Sequence, residues 1–414
     1  MAISVTRLAN GIRVVTEQME GVSSVAVGCW VGTGSRDETP AEAGISHFLE
    51  HLLFKGTPGR TARDIAEAID AVGGDMNAYT AKEYTSFYVR TLARHSDLAL
   101  DVLAEILQDP ALRDEDVEAE RQVILEEVLM HLDEPADVAY EHALESLFPG
   151  HGLGREILGD PEVIKAVAVP DIRTFFERHY RPGNVVISAA GNVEHGEVVA
   201  GLERRFAGWE GGAPPERSAP ETPPLSIDVI SRDTEQAHLA VSMRAPRRRS
   251  ADRFALTLMN HALGGGVSSR LFQQIREERG LAYSVSSEWS GYSDAGALVI
   301  SVGTAPEHAA EVLDLVRAEL ARMAQTGLSD REVEVAKGHV NADTLLALED
   351  SGSRMSRLGA GLLLHDEVLP IEEVLARVEA VTESEIARLA ASVLSSERTL
   401  AVVGPFGLDD LDPL

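Results

Sequence analysis

The segment His47-Phe48-Leu49-Glu50-His51 pairs two histidines with one glutamate at helical spacing. On a helix, positions four apart lie one turn apart on one face, so both imidazoles can reach a single cation. Glu50, three residues after His47, borders that face and can point at a water beside the cation without ligating it. Imidazole nitrogens suit Zn2+, and a carboxylate next to an open coordination position can take a proton from the water there. Ile45, Phe48, Leu49, Leu52 and Leu53 surround the trio. They predict a buried helix whose polar groups need partners.

Three protein ligands and a water are the usual catalytic arrangement, so a third ligand is required. The segment 115–132 offers one. Val117, Glu120, Ile124, Glu127 and His131 follow a 3-4-3-4 spacing, so carboxylates fall on a stripe that should be apolar. We read Glu127 as the ligand and Glu120 as a carboxylate behind it or facing substrate. The alternative is an acidic surface helix paired with Arg121. Glu126 points about 100° away, toward solvent. His131 continues the stripe and is the least securely structural of the other histidines. The order of residues 47–51 is the inverted H-x-x-E-H of one class of zinc hydrolases.

Elements must hold these groups in place. Asn10-Gly11 marks a hairpin turn between two short apolar runs, and Ser24–Val31 reads as a buried strand. Helices are expected over 42–54 and 62–72, and strands over 75–80 and 83–92. Helices then dominate 95–180, followed by a strand at 184–190 and a helix at 198–206. Residues 208–224 are rich in Gly, Pro, Ser and Glu with no apolar period, as in an exposed linker. The second half repeats the first: strands at 226–231 and 237–243, helices at 251–263 and 268–278, strands at 281–289 and 296–303, helices over 306–395 and a strand at 399–403. The expected fold is α+β, with two homologous roll-like domains at 1–207 and 225–414 joined by that linker. Each is a mainly antiparallel sheet packed with helices.

The chain of 414 residues carries 67 acidic and 37 basic side chains, a net charge of −30. Such a surface repels phosphate, which excludes nucleic acid and anionic membranes as partners. The single Cys29 excludes a disulfide framework and a cysteine zinc cage. No run approaches the roughly 18 apolar residues of a membrane span. The N-terminal residues lack a signal-peptide pattern, so a bacterial cytoplasmic location is expected. Glu83, Glu115, Asp116, Glu118, Glu120 and Glu126 crowd the motif region and suggest a preference for basic peptides.

The segments GISHFLEHLLFKGT (44–57), GGDMNAYTAKEYTSFY (73–88), ERQVILEEV (120–128) and SSRLFQQIREERGLAYSV (268–285) closely resemble the pitrilysin family of metallopeptidases. Within it the resemblance is to the processing-peptidase branch, of the bacterial type and similar to the mitochondrial processing peptidase beta subunit. It covers essentially the whole chain. It implies a zinc endopeptidase with one Zn2+ per chain held by His47, His51 and Glu127, the last 76 positions after His51. It implies Glu50 as general base and Glu120 as a glutamate that supports catalysis. Arg276 and Tyr283 match the family's substrate-binding Arg/Tyr pair, and Asn77 and Ala78 match the strand edge that binds substrate backbone. Since the chain keeps both the ligand set and the Arg/Tyr pair, a homodimer is expected. Peptides or unfolded segments would be cleaved in an enclosed chamber. The rival function is a non-catalytic subunit or scaffold of a processing or respiratory complex.

Overall fold

The computed structural model describes residues 3–221, 226–408 and 410–411. In the first half, strands β1 (Ile3–Arg7), β2 (Arg13–Gln18) and β3 (Ser24–Val31) precede helices α1 (Ile45–Leu53) and α2 (Ala62–Asp70). Strands β4 (Asp75–Thr80) and β5 (Thr85–Leu92) follow. Then come helices α3 (Ser96–Gln108), α4 (Asp114–Leu132), α5 (Pro135–Leu147), α6 (Pro161–Ala166) and α7 (Val169–His179), strand β6 (Val185–Gly191) and helix α8 (His195–Arg205). The second half runs β7 (Ser226–Ser231), β8 (Ala237–Arg244), α9 (Arg253–Gly264), β9 (Ala282–Gly291) and β10 (Gly296–Thr304). It ends with α10 (Ala309–Thr326), α11 (Asp330–Leu346), α12 (Ser351–His365), α13 (Ile371–Ala380), α14 (Glu383–Val393) and β11 (Arg398–Gly404).

Two sheets form, in the orders β1-β2-β6-β3-β5-β4 and β7-β11-β8-β10-β9. With β1 set aside, the orders coincide strand for strand. The parallel pair recurs as well, β2 with β6 and β7 with β11, while every other pairing is antiparallel. The duplication expected from sequence is therefore present in topology and in hydrogen-bond direction.

The two compact units are not contiguous in the chain. One comprises 1–128, 156–217 and 345–370, the other 129–155, 218–344 and 371–414. This differs from the division at 1–207, 208–224 and 225–414, and the reason is an exchange of helices. In the first unit, Met355, Leu358 and Leu362 of α12 pack on Val15, Ala26, Trp30, Val186 and Ala190 of β2, β3 and β6. In the second, Val138, Ala143, Leu144 and Leu147 of α5 pack on Ala240, Val299, Ala401 and Val403 of β8, β10 and β11. Each sheet thus has one face covered by a helix from the other repeat, while its opposite face packs on helices of its own repeat. At Gly359 of α12 a Cβ would lie 1.9 Å from Trp30 Nε1, so only glycine lets helix and sheet approach this closely.

The expected linker has no helix or strand over 208–221, and its last residues, 222–224, lie outside the described residues. It is anchored in the first unit. The Arg217 guanidinium donates to both oxygens of Asp37 (2.8 and 2.7 Å) and to the carbonyls of Gly32 and Glu83 (3.1 and 2.8 Å). Among the described residues no helix is long and apolar enough to cross a membrane.

Candidate metal centre

Helix α1 carries the motif. It starts at Gly44, whose φ of 98° is left-handed and whose position abuts Gly159 and the Leu158 carbonyl, so a side chain there would collide. The buried Glu38 carboxylate accepts the amides of Gly44 (2.8 Å) and Ser46 (2.7 Å), satisfying donors that a helix N-terminus leaves free. Ile45, Phe48, Leu49, Leu52 and Leu53 are all buried in the core of the first unit, as the pattern of residues 45–53 predicts.

The two imidazoles meet at their Nε2 atoms, 3.2 Å apart. Glu127 of α4 brings Oε2 to 3.5 Å from each of them. Bonds of about 2.0–2.1 Å in a tetrahedral zinc site place neighbouring ligand atoms about 3.3–3.4 Å apart. The triangle formed by these three atoms therefore has the dimensions of one face of that tetrahedron. The donor set, two nitrogens and a carboxylate oxygen, is also that of catalytic zinc. Among the described residues this is the one group of three or more His, Cys, Asp and Glu side chains with converging ligand atoms. His131 lies outside it.

The supports of the two histidines differ. His51 Nδ1 lies 2.9 Å from Glu120 Oε2, and the other Glu120 oxygen pairs with Lys55. His47 Nδ1 is buried with no hydrogen-bond partner among the described residues, so the polar contacts of that ring are on its Nε2 side, with His51 and Glu127. Burial pulls the His47 pKa down to about 4, with His51 adding to the shift and Glu156 opposing it. A neutral imidazole is what a metal needs. Glu120 is a buried carboxyl whose burial opposes charge, but bonds to Lys55 and His51 outweigh that and hold it below its ordinary value.

Glu50 Oε2 accepts the Thr80 hydroxyl at 2.6 Å. Burial pushes its carboxyl above the ordinary value, against the pull of Thr80 and His51, while Glu127 adds to the rise. A carboxylate shifted toward neutrality is a better proton acceptor at working pH. Thr80 ends β4, the terminal strand of its sheet, which also carries the exposed Asn77 and the buried Ala78. The Ala78 amide donates to the Asn77 side chain at 2.8 Å.

The Arg121 pairing of the alternative reading of α4 is present, but with Glu118 and not with Glu120 or Glu127. Arg121 pairs with Glu118 and donates to the carbonyls of Ile164 and Val167, leaving Glu120 and Glu127 to the histidines. The acidic crowd expected to favour basic peptides is largely neutralised. Glu83 pairs with Arg36, Asp116 with Arg113, Glu118 with Arg121 and Glu120 with Lys55. Glu115 and Glu126 remain without an ion pair among the described residues.

In the second unit, Arg276 and Tyr283 form a pair of their own. The segment around Arg276, expected as an ordinary helix, is a π-helical turn over Phe272–Glu277, a form that recurs at functional sites. Arg276 Nη1 donates to the Tyr283 carbonyl at 2.8 Å, and the guanidinium lies 4.9 Å from the Tyr283 ring. Tyr283 is 77% exposed, unusual for a tyrosine with a purely structural role.

Two residues of the first-unit site, Lys55 and Thr80, escaped the sequence reading. Lys55 had a signal, since lysine occurs only at positions 55, 82, 165 and 337 and this one directly follows the motif helix. Thr80 had none, because its partner Glu50 is remote in sequence and a strand-end threonine is ordinary.

Both halves of the chain are similar to known proteins. Residues 13–161 match the model of insulinase-type peptidases (peptidase family M16), and residues 166–339 match that of the peptidase M16 inactive domain. An uncharacterized zinc protease of Streptomyces coelicolor is 42% identical over 97% of this chain and 89% of its own length. One from Mycobacterium tuberculosis is 42% identical over 97% and 93%, and one from Bacillus subtilis 36% identical over 96% and 97%. Among solved structures, a peptidase M16 inactive domain of Pseudomonas fluorescens superposes with a TM-score of 0.92 at 21% identity, covering 98% of this chain and 99% of its own. A protease of Helicobacter pylori does so with a TM-score of 0.90 at 23% identity, with the same coverage. With a family match in each half and curated zinc proteases this similar along nearly its whole length, the chain belongs to the M16 family of insulinase- and pitrilysin-like peptidases.

Proposed function

We propose that the chain is a zinc endopeptidase of the processing-peptidase type, acting on peptides or unfolded segments. The observation that carries this is the triangle of His47 Nε2, His51 Nε2 and Glu127 Oε2 with Glu50 alongside. When bound there, zinc would polarise the scissile carbonyl and acidify a water. Glu50, held by Thr80, takes the proton of the attacking water and returns it to the leaving amine. An extended peptide adds as a strand along β4, with Asn77 and Ala78 meeting its backbone. Arg276 and Tyr283 are donors suited to a peptide oxygen as it gains negative charge. A preference for basic sequences would rest on Glu115 and Glu126, the two of that acidic group without an ion pair among the described residues. Because one chain carries both the ligand set and the Arg/Tyr pair, the proposed partner is a second copy of itself.

The test is metal content together with hydrolysis of quenched peptides, with and without a chelator. One equivalent of zinc per chain and chelator-sensitive cleavage are expected, both lost in His51→Ala. A protein that binds no zinc and cuts no peptide would be the scaffold instead. A cleavage-site library without enrichment of Arg or Lys would remove the basic preference, and sedimentation at the monomer mass would remove the dimer.

A further inference from the structure

Lys55 lies just past the C-terminus of α1. Its amide donates to the Leu52 carbonyl at 3.0 Å, and its own carbonyl accepts from Arg113 at 3.3 Å, so the root of the side chain is fixed. A lysine here could serve only to complement the negative end of the helix dipole, which needs no partner. Its ammonium is instead committed to Glu120 Oε1. The other Glu120 oxygen takes the Nδ1 side of His51 at 2.9 Å, and the opposite nitrogen of that ring faces His47 and Glu127. One side chain outside the ligand set thus reaches a metal ligand through a single buried carboxylate, 7% exposed. A carboxylate anchored at one oxygen presents the other in a fixed direction, and such outer contacts fix the orientation of a ligating imidazole.

We propose that Lys55 is a positioning residue that sets zinc affinity by holding Glu120 against His51. The inference rests on the reading of His47, His51 and Glu127 as the zinc ligands. It does not involve Lys55 in touching substrate or metal.

The test is zinc affinity, measured by competition with a chromophoric chelator on the full chain, with peptide turnover as a separate readout. Lys55→Met should weaken zinc binding on the order of tenfold to a hundredfold. Lys55→Arg, whose guanidinium can also engage a carboxylate, should stay within about threefold of the wild type. In a Glu120→Gln background, Lys55→Met should add less than about twofold, because the route to His51 is already broken. The lysine is 34% exposed, so the fold should tolerate its loss; Lys55→Gln carries the same test should the apolar side chain disturb folding. Wild-type affinity in Lys55→Met, or an equal loss with and without Glu120, would overturn the proposal while leaving the metal centre standing. A wild-type protein that binds no zinc would overturn both.

Discussion

The two repeats place corresponding helices on corresponding sheets, yet among the described residues only one holds a candidate metal centre. Helix α1 lies between β3 and β4, and α9 between β8 and β9, at the same points of one topology. Setting His51 against His261 puts Asn260 at the position of Glu50 and Thr257 at that of His47. Glu127 lies 76 residues after His51, and His339, on the matching helix α11, lies 78 after His261. The pairing in space is kept: His51 meets Glu127 at 3.5 Å, and His261 stacks on His339 with ring centres 4.1 Å apart. The brace is kept too. A hydroxyl from the edge strand reaches residue 50 in one repeat (Thr80, 2.6 Å) and residue 260 in the other (Ser287, 2.8 Å). What changes is the satisfaction of the polar groups. Thr257 bonds back to its own helix at Arg253, whereas His47 Nδ1 has no hydrogen-bond partner among the described residues. Functional sites are where a fold leaves such local conflicts unresolved. Among the described residues, the same packing therefore brings three ligand-type side chains together in one unit and not in the other.

The largest contrast should come from the motif itself. Glu50→Gln is expected to keep one zinc per chain and to lose about a hundredfold to ten-thousandfold in kcat, the usual worth of a general base. His51→Ala should lose zinc and turnover together, while His261→Ala keeps both. Zinc analysis beside peptide kinetics decides the matter, and a loss of zinc in His261→Ala would mean that the second repeat is not the silent one.

The next effect separates the two braces. Removing a hydrogen bond to a charged group costs about 1.5–3 kcal/mol. Thr80→Val also frees the Glu50 carboxylate to turn, so it should lower kcat by up to about a hundredfold through lost positioning with zinc content unchanged, and Thr80→Ser should restore it. Ser287→Ala removes a neutral bond and should cost only about 1 kcal/mol of stability, read by urea unfolding, with turnover intact. Equal kinetic losses in the two variants would erase the distinction.

How far this contrast could be read from the chain depends on the range of the interaction. The motif helix was legible because its spacing and apolar frame are local, and α4 because carboxylates interrupt a core stripe at 120 and 127. The duplication showed in the order of strands and helices. The exchange of α5 and α12 did not, because an apolar face on 138, 144 and 147 announces that it must be covered without saying by which of two similar sheets. The acidic crowd misled for a related reason: Glu83 looks solvated in sequence but is fully buried against Arg36, a partner 47 residues away.

Glu120 and Glu332 are the smallest and cleanest pair, each seven residues before Glu127 and His339. Glu120 leans on His51, whereas Glu332 is bound by Arg270 (2.5 and 2.9 Å) and by the amide and hydroxyl of Ser329 (both 2.7 Å). Burial opposes charge on Glu332, but the bonds from Arg270 and Ser329 outweigh it and hold the carboxyl at about 2. A carboxyl whose folded pKa is depressed contributes stability that is complete above the unfolded value, about 4.3, and is lost as pH falls toward the folded one. The gap in unfolding free energy between wild type and Glu332→Gln should thus stay level from about pH 8 to pH 5 and narrow progressively below about 4.3. Zinc content should not move in Glu332→Gln, whereas Glu120→Gln should weaken zinc binding about tenfold or more. Urea melts across that range read the first effect and chelator competition the second. A flat gap down to low pH would show that the ion pair with Arg270 is not what holds α11, and the two glutamates would then differ in position only, not in the work their charges do.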